Sequence, residues 1–124
     1  MLTPSTLFSH AAPVFQVSDM EQAIIFYRDK LGFTVSYTWM DPPEYVVLKG
    51  GEGVSLHLSL EKGKLPSQMS NYYIFVHDVE ALYAHYVSLN LDIHREIGSQ
   101  EYKMKDFDIL DPDGNRLVFG QGES

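Results

Sequence analysis

One pattern occurs twice in this sequence, and the repeat constrains the fold more than any other feature. Aligning the two halves on Asp19 and Asp78 gives an offset of about 59 positions, which also brings Tyr27 onto Tyr86. At the same offset Phe15 falls on Ile74, Val17 on Val76 and Glu21 on Glu80. Self-similarity at a fixed offset indicates two copies of one supersecondary unit.

Each half predicts one strand, one helix and three further strands. Asp19 and Asp78 are of a residue type that caps helices, and Gln22 stands at the reciprocal capping-box position. Apolar residues then recur at helical spacing up to Gly32 in the first half and up to Leu89 in the second. The predicted strands cover 13–17, 33–39, 45–48 and 54–60, then 71–76, 93–97, 103–110 and 116–119.

A length of 124 residues fits one domain. We predict a single α+β domain over residues 1–124, with module one at about 10–60, module two at about 70–120, and a polar connector over 61–70. The helix of each module would cover one face of its sheet. Two modules packed edge to edge would then place a cleft between their open faces.

The composition excludes several classes of function. The absence of cysteine excludes disulfides, thiolate catalysis and cysteine-based zinc sites. A formal net charge of −8 argues against nucleic acid as a partner, because phosphate binding needs clustered Lys and Arg. The acidic charge would attract a cationic ligand, or it merely keeps the protein soluble. We expect no membrane span and no secretory signal, and therefore a cytoplasmic protein.

Two motifs resemble the vicinal oxygen chelate superfamily, which includes glyoxalase I, extradiol dioxygenases, fosfomycin-resistance enzymes and bleomycin-resistance proteins. The first motif is Val17-Ser18-Asp19 followed by Phe26-Tyr27 and Leu31-Gly32-Phe33. The second is Asp111-Pro112-Asp113-Gly114-Asn115 before the final strand. The resemblance implies two βαβββ modules forming a cupped mixed sheet around a cleft.

In the enzymes of that superfamily, four strand positions hold a divalent metal. The resemblance places these positions at Ala12, His57, Asn71 and Val118. Ala12 and Val118 have no donor atom, and the amide of Asn71 is a weak donor for a transition metal. We therefore expect no metal and no other cofactor. An unusual site using His10, His57 and a displaced carboxylate remains an alternative.

The metal-free branch of the superfamily is represented by bleomycin-resistance proteins, which bind a cationic aromatic drug and perform no chemistry. Residues 78–86 and Tyr102 in the following loop are similar to that branch. The resemblance implies a small-molecule-binding homodimer whose subunits exchange their N-terminal strands. One alternative is a metal-dependent lyase or isomerase of the glyoxalase type. Another is a structural module whose cup is filled by its own side chains.

Strand alternation provides candidate ligand-binding residues. The predicted cleft-facing residues are Gln16, His57, Asn71, Tyr73 and Phe75. Tyr73 and Phe75 would stack on a planar ligand or would simply fill the cup as core. His57 would serve as a hydrogen-bond partner or base near neutral pH, or it is a buried and satisfied histidine.

Four further candidates complete the predicted site. Trp39 and Tyr102 are aromatic residues expected at the rim, although Trp39 would also suit a dimer contact. Asp106 and Asp108 alternate with Phe107 and Ile109, so that both carboxylates would face the cleft and hold a cation, or form an ordinary solvated face.

Overall fold

A computed structural model describes residues 3–63 and 70–124. The first module contains α1 (Pro4–Leu7), β1 (Val14–Val17), α2 (Met20–Ile24), a π-helical segment (Ile25–Lys30), β2 (Thr34–Trp39), β3 (Tyr45–Gly50) and β4 (Val54–Leu60). The second contains β5 (Asn71–Phe75), α3 (Val79–Ser88), β6 (Arg95–Ser99), β7 (Met104–Leu110) and β8 (Arg116–Gly122). Six of the predicted connector residues, 64–69, lie outside the described residues.

The two modules have the same topology. The strand order is β1-β4-β3-β2 in the first sheet and β5-β8-β7-β6 in the second. In each sheet the strand before the helix pairs in parallel with the last strand, and the remaining pairs are antiparallel. The predicted fold class, α+β with two βαβββ modules, is confirmed.

Both predicted helix caps are present. Asp19 and Asp78 each accept a hydrogen bond of 3.0 Å, from the backbone N–H groups of Gln22 and Ala81. The first helix differs from the prediction because it widens into a π-helical segment after Ile24. Its last turn closes with a hydrogen bond from the Leu31 N–H to the Phe26 carbonyl, and the neighbouring Tyr27 is buried as well.

Two other differences concern the ends of the chain. The short, exposed helix α1 was not predicted, because a single turn without buried residues carries no hydrophobic periodicity. Strand β8 continues to Gly122, beyond the predicted end at residue 119. Its glycines, which have low strand propensity, are held by pairing, since Gly120 lies opposite Asp106.

One core joins the two modules. The buried apolar residues of both helices and of one face of each sheet form a single cluster. Within it the hydroxyl of Tyr86 donates a hydrogen bond of 2.7 Å to the Leu31 carbonyl of the other module. No strand of one sheet pairs with a strand of the other among the described residues, so the modules meet through this core rather than edge to edge. Their open faces point away from it.

The predicted turn at 111–115 is a buried junction between the modules. Asp111, Asp113 and Asn115 are all buried. Asp113 accepts a hydrogen bond of 3.0 Å from the Ser18 N–H, and the Asn115 side chain donates one of 3.0 Å to the Gln16 carbonyl. The polar motif therefore fixes the end of β1 and the start of α2 against the second module.

None of the described helices has both the length and the apolar character that a bilayer crossing requires.

Candidate functional site

Aromatic side chains are exposed at one end of the open face of the first sheet. Trp39 lies opposite Tyr45, and Tyr37 lies opposite Val47, so that all four share the face away from the buried Val46. Trp39 is 52% exposed and Tyr37 is 57% exposed. Trp39 is therefore an exposed aromatic residue at the end of β2.

His57 and Gln16 lie on the same open face. Val14 pairs with His57, and Gln16 pairs with Ser59, which places these side chains opposite the buried Phe15. Gln16 is exposed and His57 is half-buried.

The His57 ring is held by a tyrosine. Its Nδ1 lies 2.7 Å from the Tyr45 hydroxyl, and the two rings meet edge to face at 5.4 Å. This contact fixes the ring orientation. It makes His57 an oriented hydrogen-bonding group on the open face of the first sheet.

The open face of the second sheet carries the other predicted residues. Asn71, Tyr73 and Phe75 alternate along β5 with the buried Ile74, as predicted. Phe75 is 74% exposed, and its ring centroid lies 5.0 Å from that of the half-buried Tyr73. Tyr102, in the loop between β6 and β7, is 59% exposed.

Asp106 and Asp108 lie on this same face, but they are not available to a cation. Both carboxylates are fully buried. Asp106 accepts hydrogen bonds from the hydroxyls of Tyr73 at 2.8 Å and Tyr102 at 2.7 Å, and Arg95 Nη2 lies 2.8 Å from its other oxygen. The interpretation of these aspartates as a cation site or a solvated face is therefore revised, because protein donors already surround Asp106.

Asp108 is compensated still more completely. It accepts hydrogen bonds of 3.0 Å from the Nε atoms of both Arg95 and Arg116, and Arg116 Nη2 lies 2.8 Å away. His94 Nδ1 lies 2.6 Å from its second oxygen. We call this set the arginine–aspartate network; it consists of Asp106, Asp108, Arg95, Arg116, His94, Tyr73 and Tyr102.

The network lowers the pKa of both carboxyl groups. Burial opposes ionisation and acts to raise the pKa of Asp106 and of Asp108. Hydrogen bonds outweigh burial: Tyr102, Tyr73 and Arg95 favour the charged form of Asp106. His94, Arg116 and Arg95 do the same for Asp108. Both pKa values therefore lie below the ordinary value, and both side chains are ionised at neutral pH.

Gly120 makes room for the contact between Tyr73 and Asp106. Tyr73 is on β5 and Asp106 is on β7, with β8 between them. A Cβ atom at Gly120 would lie closer to the Tyr73 hydroxyl than any real contact allows, and 2.7 Å from its Cζ. The phenol therefore crosses β8 over the backbone of Gly120.

The four positions at which the family resemblance places metal ligands do not suit a metal ion. Ala12 is half-buried and Val118 is buried, and neither has a donor atom. Asn71 Oδ1 lies 3.4 Å from Arg116 Nη1, which donates to it and repels a cation. Among residues 3–63 and 70–124, no three His, Asp or Glu side chains converge in a way that could hold an ion.

The sequence analysis missed Arg95, Arg116 and His94. The ring of His94 contacts Asp108. Arg95 on β6 lies directly opposite Asp108 on β7, and opposite charges pair in this way when the register of two strands brings them together. The charges are visible in the sequence but the register is not, so the pairing could not be predicted.

Two cavities among the described residues differ in their relation to the open faces. One, of about 660 Å³, lies between α2 and the Pro42-Pro43 loop, with Ile24 and Leu60 in its wall. The other, of about 610 Å³, lies where the turn at Gly51–Gly53 approaches β5 of the second module. None of the predicted binding residues lines the first cavity, whereas Tyr73 and Phe75 line the second.

Residues 7–119 match the Glyoxalase/Bleomycin resistance protein/Dioxygenase superfamily. The chain belongs to this superfamily. The match covers both modules and confirms the resemblance that the Val17-Ser18-Asp19 and Asp111-to-Asn115 motifs indicated. No curated protein matches the chain.

Solved structures of the superfamily share the fold over nearly the whole chain. The bleomycin resistance determinant encoded on transposon Tn5 is 21% identical, with a TM-score of 0.81 over 94% of this chain and 100% of that one. The bleomycin-binding protein of Streptomyces verticillus, in complex with copper(II)-bleomycin, is 22% identical, with a TM-score of 0.79 over 99% and 100%. A superfamily member from Sphaerobacter thermophilus is 20% identical, with a TM-score of 0.76 over 94% and 98%.

Proposed function

We propose that this chain is a cytoplasmic, metal-free binding protein that sequesters a small aromatic molecule on the open faces of its sheets. The observation that carries the proposal is the set of exposed aromatic side chains on these faces: Trp39, Tyr37, Phe75 and Tyr102. A soluble chain seldom leaves such side chains grouped in water without a partner to cover them.

The geometry suits a flat ligand. Tyr73 and Phe75 form a pair of rings 5.0 Å apart on one open face, and Trp39 stands at the end of the other. Aromatic rings gain about 0.5–1.5 kcal/mol from stacking beyond the area they bury. His57, Gln16 and Asn71 would supply the few polar contacts that orient a ligand in such a site.

The proposal includes a symmetric homodimer. β1 and β5 are edge strands, and Val14 and Phe75 on them are exposed apolar residues. Leu7 and Phe8 in the N-terminal arm are also exposed. A second copy placed over these residues would bury them and would complete a cleft around the ligand. Exchange of the N-terminal strands is what the resemblance to bleomycin-resistance proteins implies.

Binding without catalysis is favoured over the glyoxalase-type alternative by the donor set. A catalytic metal of the superfamily needs several imidazole or carboxylate ligands, whereas Ala12 and Val118 offer none. His57 alone remains, and one ligand does not hold a divalent ion.

Titration of the purified protein with a panel of flat aromatic compounds tests the proposal. The panel includes bleomycin, because similar structures are bleomycin-binding proteins. Trp39 is the only tryptophan, so quenching of its fluorescence reports occupation of the first open face, and calorimetry reports the affinity. Phe75→Ala should weaken binding about tenfold, equivalent to the loss of about 1.4 kcal/mol.

The matched control is Leu89→Ala, which removes an exposed apolar side chain just beyond α3. This control should bind as the unmodified protein does. If no compound of the panel binds, or if Phe75→Ala and Leu89→Ala have equal effects, the proposed function is wrong.

A further inference from the structure

We infer that the ligand carries an anionic group beside its flat ring, and that Arg95 and Arg116 recognise this group. The inference rests on the proposed function and adds the chemical class of the ligand. It reverses the expectation of a cationic ligand that the net charge of −8 suggested.

The aspartates and the arginines of the network differ in their exposure on the open face of the second sheet. The carboxylates of Asp106 and Asp108 are 0% exposed, whereas the side chains of Arg95 and Arg116 are 33% and 32% exposed. The arginines are therefore the exposed members of these ion pairs, and a molecule on this face contacts their side chains rather than the carboxylates. Because the Coulomb energy falls with distance, an approaching ligand meets the positive groups first.

The carboxylates of Asp106 and Asp108 already lie against cationic partners of the protein itself. Asp108 is bound by two guanidinium groups and by His94. Oδ2 of Asp106 accepts two tyrosine hydroxyls, and its Oδ1, which is buried and accepts no hydrogen bond among the described residues, lies 2.8 Å from Arg95 Nη2. A ligand cation would have to displace an arginine from a fully buried carboxylate. A bidentate or shared ion pair of this kind is costly to break, because it leaves a buried charge without compensation.

Arg95 and Arg116 are held in place, and not all of their N–H groups are engaged. Each guanidinium has five N–H groups. Arg95 contacts the aspartates through Nε and Nη2, and Arg116 contacts Asp108 through the same two atoms. The aspartates thus fix the orientation of both guanidinium planes before a ligand arrives, which lowers the entropic cost of binding. Planar guanidinium groups pair with carboxylates through two parallel hydrogen bonds.

Aromatic side chains lie next to the arginines. Tyr73 and Tyr102 donate to Asp106, to which Arg95 is also paired, and Phe75 contacts Tyr73. A ring stacked on these side chains would bring its substituent to the guanidinium groups. The net charge of the protein matters little at this range, since salt screens charges beyond about 8 Å in physiological buffer.

Three compounds of matched shape provide the test: 2-naphthoate, 2-naphthylmethanol and 2-naphthylmethylammonium. Calorimetry at low and at physiological salt should show the carboxylate bound at least tenfold more tightly than the ammonium, with the alcohol between them. The preference should decrease as salt is added.

Variants assign the preference to the arginines. Arg116→Gln combined with Asp108→Asn removes one charge of each sign and so keeps the charge balance of the network. This double variant should lose most of its preference for the carboxylate over the alcohol and the ammonium. Arg28→Gln is the control, because Arg28 is an exposed arginine of the first module that is ion-paired to Asp29. It should leave the preference intact.

The outcomes separate the two proposals. If none of the three compounds binds, both the proposed function and this inference are wrong. If the ammonium binds as tightly as the carboxylate, or if the folded double variant keeps the preference, only the inference about the anionic group is overturned. Arg95→Gln combined with Asp106→Asn repeats the test if the first double variant fails to fold.

Discussion

The hydroxyl of Tyr27, in the first module, donates a hydrogen bond of 2.7 Å to the carboxylate of Asp111, in the second. Both side chains are buried, and burial raises the pKa of each. Asp111 also accepts hydrogen bonds from the backbone N–H groups of Asp113 and Asn115, so it closes its own turn while it joins the modules.

Tyr27→Phe should destabilise the protein without changing its fold. The substitution removes one donor from a buried carboxylate, which costs about 1.5–3 kcal/mol in the free energy of unfolding. Urea denaturation followed by circular dichroism measures the loss. Tyr37→Phe is the control, because Tyr37 is exposed and its hydroxyl makes no hydrogen bond within the described part of the chain; it should cost almost nothing. Equal losses in the two variants would contradict a junction role for Tyr27.

Acidification should change the stabilising contributions of Asp108 and Asp111 in opposite directions. Asp108 has a lowered pKa in the folded protein, so its stabilising contribution is present above 3.8 and is lost as pH falls through the lowered value. Asp111 has a raised pKa, so its contribution is largest below 3.8 and is lost as pH rises through the raised value.

The free energy of unfolding measured between pH 7 and pH 3 tests this opposition. Relative to the unmodified protein, Asp108→Asn should lose less stability on acidification, whereas Asp111→Asn should lose more. A change of the same sign in both variants would show that the network and the junction do not differ as described.

Gly120→Ala should disturb the arginine–aspartate network through Tyr73. The added Cβ overlaps the phenol that crosses Gly120, and the forced shift should cost about 1–3 kcal/mol in the free energy of unfolding. Gly98→Ala is the control, because a Cβ there meets no described atom within 4 Å. In a Tyr73→Ala background Gly120→Ala should cost little, since the overlapping group is gone. Additive effects of the two substitutions would refute the crossing.

Several parts of the fold could be predicted from the sequence because they depend on local patterns. The repeat centred on Asp19 and Asp78 gave two modules of the same topology, and the two aspartates cap their helices as expected. Strand alternation correctly placed Tyr73 and Phe75 opposite the buried Ile74. Capping and alternation each depend on a few consecutive residues, so a single sequence contains the necessary information.

The parts that could not be predicted depend on contacts between distant residues. The partners of Asp108 are Arg95 on β6, Arg116 on β8 and His94 just before β6, and their register is set by the whole second sheet. The same limit applies to the 111–115 turn, whose burial depends on contacts with Ser18 and the Gln16 carbonyl of the other module. A net charge of −8 likewise says nothing about which charges are buried.

Sedimentation at micromolar concentration should give twice the mass of one chain. Val14→Glu places a charge on the exposed part of edge strand β1 and should shift the protein toward the monomer, because a buried unpaired charge opposes association. Val87→Glu, on the exposed side of α3, is the control and should remain dimeric. A single-chain mass for the unmodified protein would reject the dimer.

The dialysed protein should contain far less than one divalent ion per chain, and zinc, nickel or manganese should not raise its melting temperature. The physical reason is that Ala12 and Val118 have no donor atom, so that His57 has no carboxylate or imidazole partner at either position. Elemental analysis checks the content. A stoichiometric ion lost on His57→Ala would restore the glyoxalase-type alternative.

A crystal structure of the protein with its tightest aromatic ligand would show where the ligand binds. We expect the ring to lie on the open face of the second sheet, against Tyr73 and Phe75, with any anionic group within hydrogen-bond distance of Arg116. A ligand found instead in the 660 Å³ cavity between α2 and the Pro42-Pro43 loop would contradict this expectation.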